Sequence, residues 1–172
     1  MNEGPEPKDS ILGILRSAIN IEKYGIRYYR AVGSALEDRG GKELLNYLAE
    51  IESEHQRILE QEYDKHKESS VEVAKSLPLD NLDERGNEII FSEPLEYYEP
   101  EDISAIEAVK FGINVEQRSI DFYKAAERIM NELVLKEMFN KLVKFENEHL
   151  ELLNKTLEQL EKDGSWYSFK GL

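Results

Sequence analysis

The two halves of this chain repeat each other. A shift of 94 residues carries Ile19-Asn20-Ile21-Glu22 onto Ile113-Asn114-Val115-Glu116, and it also carries Ile26 onto Ile120, Tyr29 onto Tyr123 and Ala31 onto Ala125. Without a gap it then sets Lys42-Glu43-Leu44-Leu45-Asn46 on Lys136-Glu137-Met138-Phe139-Asn140, and Ile51-Glu52-Ser53-Glu54-His55 on Phe145-Glu146-Asn147-Glu148-His149. One supersecondary unit used twice restricts the fold more than composition does, because the apolar face of the unit can be covered by its own copy.

The unit reads as a helical hairpin. From Ser10 to Asp38 there is no proline, and Ile11, Leu15, Ala18, Ile19, Ile26 and Tyr29 recur at helical spacing, with Asp9 or Ser10 as cap and Gly40-Gly41 as stop. A second helix follows over about 42–67, with Leu45, Leu48, Ile51, His55, Ile58 and Leu59 on one side; so tight a link sets the two antiparallel. In the second half Ser104 and Glu107 form a capping-box pattern that opens a helix running to about Met130. The next helix runs from about Glu132 to Asp163, with Asn131 as cap and Gly164 as stop. Between the halves, over about 68–101, the pattern breaks down among Pro78, Gly86, Pro94, Pro100 and many acidic residues, with a short helical turn expected at Val71–Ser76 and an extended stretch at Glu88–Phe91. A connection of that length needs a job in a compact domain, and spanning a helix bundle is one. The expected organisation is a single domain: hairpin one over 9–67, the crossover over 68–101, hairpin two over 102–163, and a tail over 164–172. The tail's Trp166, Tyr167 and Phe169 pack over one end of the bundle, with a subunit contact as the second choice.

Composition excludes several functions. The 172 residues are 40% hydrophobic and 34% charged, which suits a buried core inside heavily charged helices. A net charge of −14 argues against a nucleic-acid backbone as partner. An acidic shell is compatible with attracting cations, though more often it only keeps a protein in solution. The absence of cysteine excludes disulfides, thiolate metal sites, iron–sulfur clusters and cysteine nucleophiles. Met1 to Lys8 is polar, unlike a secretory signal, and no apolar run approaches the roughly 18–20 residues of a membrane span, so a cytoplasmic location is the default expectation.

Packing accounts for the matched apolar positions but not for matched polar residues on the inner faces. Each hairpin carries a lone glutamate on its first helix, Glu22 or Glu116, and a Glu-x-x-His pair on its second, Glu52–His55 or Glu146–His149. Residues three apart on a helix lie about 60° from each other, so each pair can point at one place. The helical period puts His55 beside Ile51, Ile58 and Leu59, and His149 beside Leu142, Phe145, Leu152 and Leu153. Four carboxylates facing one another in a low-dielectric core cannot all ionise. Protons would relieve this, but two divalent cations do it better and leave the imidazoles neutral and coordinating. Oxygen and nitrogen donors without sulfur suit iron or manganese, with zinc a further candidate.

Tyr29 and Tyr123, each seven residues after a glutamate and nearly on its face, are placed either to hydrogen-bond the carboxylates or to serve as core aromatics. Asn20 and Asn114 are also paired, without an assigned role. Glu54 and Glu148 should point outward, and His66, in Lys65-His66-Lys67, complements a helix C-terminus instead of binding metal.

This pattern resembles the ferritin-like di-iron carboxylate superfamily. Within it, residues 9–160 are most similar to the di-iron domain of the rubrerythrins. The resemblance implies an all-α, ferritin-like antiparallel four-helix bundle made of two duplicated hairpins joined by a long crossover. It implies two iron ions bridged by Glu52 and Glu146, one completed by Glu22 and His55 and the other by Glu116 and His149. Two departures stand out. Ser119 lies three residues after Glu116, where typical rubrerythrins carry an additional glutamate that exchanges with a histidine as the iron changes oxidation state. A serine there argues against that cycle and leaves a symmetric site closer to that of bacterioferritin. There is also no rubredoxin module, so a reductant would come from a separate electron-donor protein such as a rubredoxin.

The leading functional expectation is therefore oxidation of Fe(II) by a peroxide or dioxygen, with hydrogen-peroxide reduction favoured by the resemblance. The alternatives are a ferroxidase, an iron-binding or storage protein, a manganese-catalase-like enzyme and, last, a metal-free structural bundle. By resemblance alone, a homodimer is expected.

Overall fold

Four helices make up nearly all of the computed structural model, which describes residues 7–69 and 103–168. They are α1 (Pro7–Ala35), α2 (Arg39–Ser69), α3 (Ala105–Ile129) and α4 (Leu133–Asp163). Among the described residues there is no strand, and no helix is long and apolar enough to cross a membrane. The expected turn at 71–76, the extended stretch at 88–91 and Phe169 lie outside the described residues.

Side-chain pairs fix the directions of the helices. In α1 and α2, Arg16 bonds Tyr63 at 2.8 Å, and a Cβ on Gly33 would lie 3.3 Å from Leu45, so α2 runs back along α1. Tyr29 meets Glu116 while Tyr123 meets Glu22, which makes α3 antiparallel to α1. His55 meets Glu146 while His149 meets Glu52, which makes α4 antiparallel to α2. It follows that α2 and α3 run in the same direction. The end of α2 and the start of α3 thus lie at opposite ends of the bundle, separated by roughly 45 Å at about 1.5 Å per residue along the 31-residue α2. A long crossover is a geometric necessity.

The core is the stripe that the periodicity marks. Leu15, Tyr28, Tyr29, Leu44, Leu48 and Leu59 of the first pair meet Val109, Tyr123, Leu135, Phe139, Leu142 and Leu153 of the second, and all are buried. Two residues expected on inward faces are not there. Ile58 is 36% exposed and Phe145 39%, because α2 and α4 leave a cleft between them at this level and the apolar stripe is wider than the surface it covers.

The helix ends show what local chemistry decides. α1 begins at Pro7, ahead of the expected caps, and proline suits a first helical turn, where its missing N–H is not needed. Gly40-Gly41 does not stop α1; it lies in the first turn of α2. Asp38 caps that helix, its Oδ1 accepting from the Gly41 N–H at 2.9 Å. The glycines serve a close approach instead: a Cβ on Gly41 would lie 2.6 Å from Trp166 Cε2 and 2.8 Å from Leu36 Cδ1. Trp166 of the tail therefore packs over the α1–α2 end of the bundle, as expected.

At α3 the capping box is complete, with Ser104 and Glu107 bonding reciprocally. Asn131 does not cap α4; Glu132 does, without a side-chain hydrogen bond. Gly164 ends α4 in the left-handed conformation at φ 76, its N–H bonding Leu160 O at 3.0 Å.

Candidate metal centre

The six polar residues singled out by the repeat come together at mid-height in the bundle, and all are buried. α1 contributes Glu22 and α3 Glu116; α2 contributes Glu52 and His55; α4 contributes Glu146 and His149. Both imidazoles turn Nδ1 toward the carboxylates. His55 Nδ1 lies 3.1 Å from Glu52, 3.3 Å from Glu146 and 3.6 Å from Glu22. His149 Nδ1 lies 3.2 Å from Glu146, 3.4 Å from Glu52 and 3.7 Å from Glu116. The donor atoms thus form two four-residue groups, Glu22–Glu52–His55–Glu146 and Glu52–Glu116–Glu146–His149, each within 4.8 Å. Glu52 and Glu146 belong to both.

The tyrosines reach the carboxylates, each across to the other hairpin. Tyr29 donates to Glu116 Oε1 and Tyr123 to Glu22 Oε1. This crossing follows from the antiparallel pairing of α1 and α3, which brings the glutamate of one level with the tyrosine of the other. Asn20 is half-buried and Asn114 exposed; Glu54 and Glu148 are exposed, as expected. His66 sits apart near the end of α2, with Nδ1 2.9 Å from Glu62 O and Nε2 3.2 Å from Glu132.

Charge is the main problem of such a site. Burial pushes Glu22 and Glu116 well above the usual carboxylate range, and the charges of Glu52 and Glu146 push the same way. Burial acts on Glu52 and Glu146 too, but the two imidazoles outweigh it and hold both below that range. Burial disfavours a charged His55, yet Glu146, Glu22 and Glu52 raise it to about 12. Against the same penalty, Glu52, Glu116 and Glu146 raise His149. Burial and the neighbouring carboxylates keep Tyr29 and Tyr123 protonated as neutral donors. Without a cation, then, the cluster retains protons on Glu22, Glu116 and both imidazoles, the positions a metal would displace.

The residues fit bound metal. Glu116 Oε2, both oxygens of Glu146 and His149 Nδ1 are buried and make no hydrogen bond of good geometry, although the Glu146 oxygens and the two imidazoles approach one another as ion pairs at 3.2–3.3 Å. Unpaired buried polar atoms cost free energy unless something binds them. Tyr29 occupies one oxygen of Glu116 and leaves the other, Oε2, to face the centre.

Sequence reasoning did not anticipate the setting of the histidines. His55 and His149 stack on each other at 5.5 Å, and Phe145 stacks against His55 at 5.1 Å and 22°. Both imidazoles line the cleft between α2 and α4, whose volume is about 730 Å³. The mismatch of Phe145 with Ile51 in the repeat was the available signal.

The sequence profile of the rubrerythrin family matches residues 13–157. Among solved structures, a hypothetical protein from Pyrococcus furiosus superposes with a TM-score of 0.64 at 19% identity, covering 91% of this chain and 93% of that one, which supports the ferritin-like bundle. No curated protein matches.

Proposed function

Because this chain belongs to the rubrerythrin family, we propose that Glu22, Glu52, His55, Glu116, Glu146 and His149 hold two iron ions and that the loaded protein reduces a peroxide or dioxygen with Fe(II). Manganese or zinc are the other ions this donor set would accept. The observation that carries the reading is the sharing of Glu52 and Glu146 between two four-residue groups, with buried oxygens that make no hydrogen bond. When bound, two ferrous ions supply together the two electrons that cleaving an O–O bond requires.

The chain supplies the rest. Glu52 and Glu146 would be shared by the two ions, while Tyr29 and Tyr123 fix Glu116 and Glu22 by one oxygen each and leave Glu116 Oε2 facing the centre. Burial excludes bulk water and strengthens each of these interactions. The described bundle holds no cysteine-bound iron of its own, and the electrons would come from a donor that does, such as a rubredoxin. A second copy of the chain is the further expected partner.

A second reading, ferroxidase, is favoured by Ser119. This buried hydroxyl bonds Val115 O at 3.1 Å on its own helix and adds no carboxylate to the cluster. Anomalous scattering at the iron edge tests the metal pair: two peaks flanked by Glu52 and Glu146 are expected, and none would remove the basis of both readings. Rapid mixing of the ferrous form with peroxide and with dioxygen separates them. Faster oxidation by dioxygen selects the ferroxidase.

A further inference from the structure

The cleft beside the histidines is far larger than its supposed oxidant. Hydrogen peroxide and dioxygen are two heavy atoms each, whereas about 730 Å³ is the size of pocket that accepts a whole organic ligand, roughly 300–1,000 Å³. Its walls are largely apolar, built from Tyr47, Ile51, Ile58, Phe145 and Leu152. Ile58 and Phe145 are among the few large hydrophobic side chains left exposed among the described residues, and both border this cleft. Phe145 lies nearly parallel to the His55 ring, a flat face on which an apolar or aromatic body can pack. Three of the four charged groups of the wall are matched locally, Lys155 with Glu151 at 2.6 Å and Glu54 with Arg57 at 2.8 Å, and the fourth, Glu148, is exposed to solvent. An uncharged ligand body fits such a surface better than an ionic one.

We propose that the oxidant reduced at this centre is an organic hydroperoxide, with its O–O group toward the imidazoles and its apolar body against Ile58, Phe145 and Leu152. The proposal rests on reading the cluster as a di-iron centre. The O–O bond of ROOH breaks on taking two electrons, one from each ferrous ion, and two protons from solvent. The products are ROH, water and two ferric ions.

Two measurements on the full chain test it. First, cumyl alcohol, the product expected from cumene hydroperoxide, is titrated into the metal-free protein and followed by the methyl NMR signals of its isoleucines. Saturable shifts at Ile51 and Ile58 are expected, and in Ile58→Glu, a substitution at a partly exposed position, the affinity read at Ile51 should weaken about 10-fold. Absence of saturation, or equal binding by the variant, overturns the proposal. Second, the ferrous protein is mixed rapidly with cumene hydroperoxide and with hydrogen peroxide. The organic hydroperoxide is expected to react about 10-fold faster, and Ile58→Glu to erase that preference. Hydrogen peroxide reacting as fast or faster overturns the substrate class and leaves the di-iron reading standing. Oxidation by neither peroxide overturns that reading as well.

Discussion

The two half-sites use matched residues in unmatched surroundings. Glu22, Glu52 and His55 correspond to Glu116, Glu146 and His149, and the imidazole distances agree pair by pair: 3.1 with 3.2 Å, 3.3 with 3.4 Å, and 3.6 with 3.7 Å. One step outward the correspondence fails. Gly25, with Glu52 3.6 Å from where its Cβ would be, is matched by Ser119, which turns its hydroxyl to Val115 O. Gly112, whose Cβ would lie 3.4 Å from the Tyr29 ring, is matched by Ala18. Phe145 on His55 is matched by Ile51. The six clustered residues and the two tyrosines repeat, whereas the residues packed around them differ. The cluster imposes a symmetry that access to it does not need.

The harshest way to break the comparison is to remove shared and unshared carboxylates separately. Glu52→Ala or Glu146→Ala takes a donor from both positions and should lower bound iron from about two ions per chain to about none. Glu22→Ala or Glu116→Ala takes a donor from one position and should leave about one, and Ser119→Ala should leave both. Metal analysis after dialysis reads the result. Equal iron in all five variants would show that the cluster is not where metal binds.

Protons offer the next test, on the whole cluster at once. In the metal-free protein Glu22, Glu116, His55 and His149 are all raised, so the folded chain holds protons that the unfolded chain releases. Stability from the histidines is complete below their unfolded value of about 6.5 and is lost as pH rises toward the folded values, that of His55 being about 12. The raised glutamates act in the same direction from about pH 4.5 upward, whereas Glu52, held low, gives stability that disappears on acidification. The metal-free protein should therefore lose thermal stability between about pH 6.5 and 9, and Fe(II) or Zn(II) should reverse the trend, because binding releases those protons. Melting curves with and without metal decide it; a flat metal-free profile would mean the cluster holds no excess protons.

The legible part of this molecule is the part fixed by repetition and helical period. Glu-x-x-His twice, at one common shift from Glu22 and Glu116, located all six buried residues, because i, i+3 spacing and a shared apolar stripe leave little choice of direction. The capping box at Ser104 and the stop at Gly164 were legible because each rests on local backbone chemistry. Gly40-Gly41 misled because the demand on Gly41 comes from Trp166, far away in sequence. Ile58 and Phe145 misled because periodicity names a face and cannot say how closely a neighbouring helix covers it.

The crossed tyrosines sharpen the comparison at a smaller scale. Tyr123→Phe removes the donor to Glu22 and Tyr29→Phe the donor to Glu116, so each should weaken one ion by about 10-fold, in opposite halves. Gly112→Ala should imitate Tyr29→Phe in part, since the new Cβ would lie 3.3 Å from Leu153 and 3.5 Å from the Tyr29 hydroxyl. Calorimetric titration with Fe(II) under anaerobic conditions separates the two steps. Identical loss at both positions from either tyrosine variant would show that the hydroxyls act on the cluster as a whole.

The smallest difference lies in the two hairpin turns, and it can be isolated from the metal. Asp38 caps α2 through the Gly41 N–H, so Asp38→Ala should cost about 1 kcal/mol in urea unfolding of the metal-free protein. Glu132 caps α4 with no side-chain hydrogen bond, and its carboxylate, about half exposed, instead meets the largely covered His66 at 3.2 Å. With its carboxylate half in solvent such a pair is worth little, so Glu132→Ala should cost less than about 0.5 kcal/mol. Glu132→Ser should recover stability by supplying the missing cap, because a serine oxygen reaches the unpaired N–H groups of the first turn. A loss in Glu132→Ser as large as that in Asp38→Ala would mean that the His66 contact, and not the vacant cap, governs how the second hairpin closes.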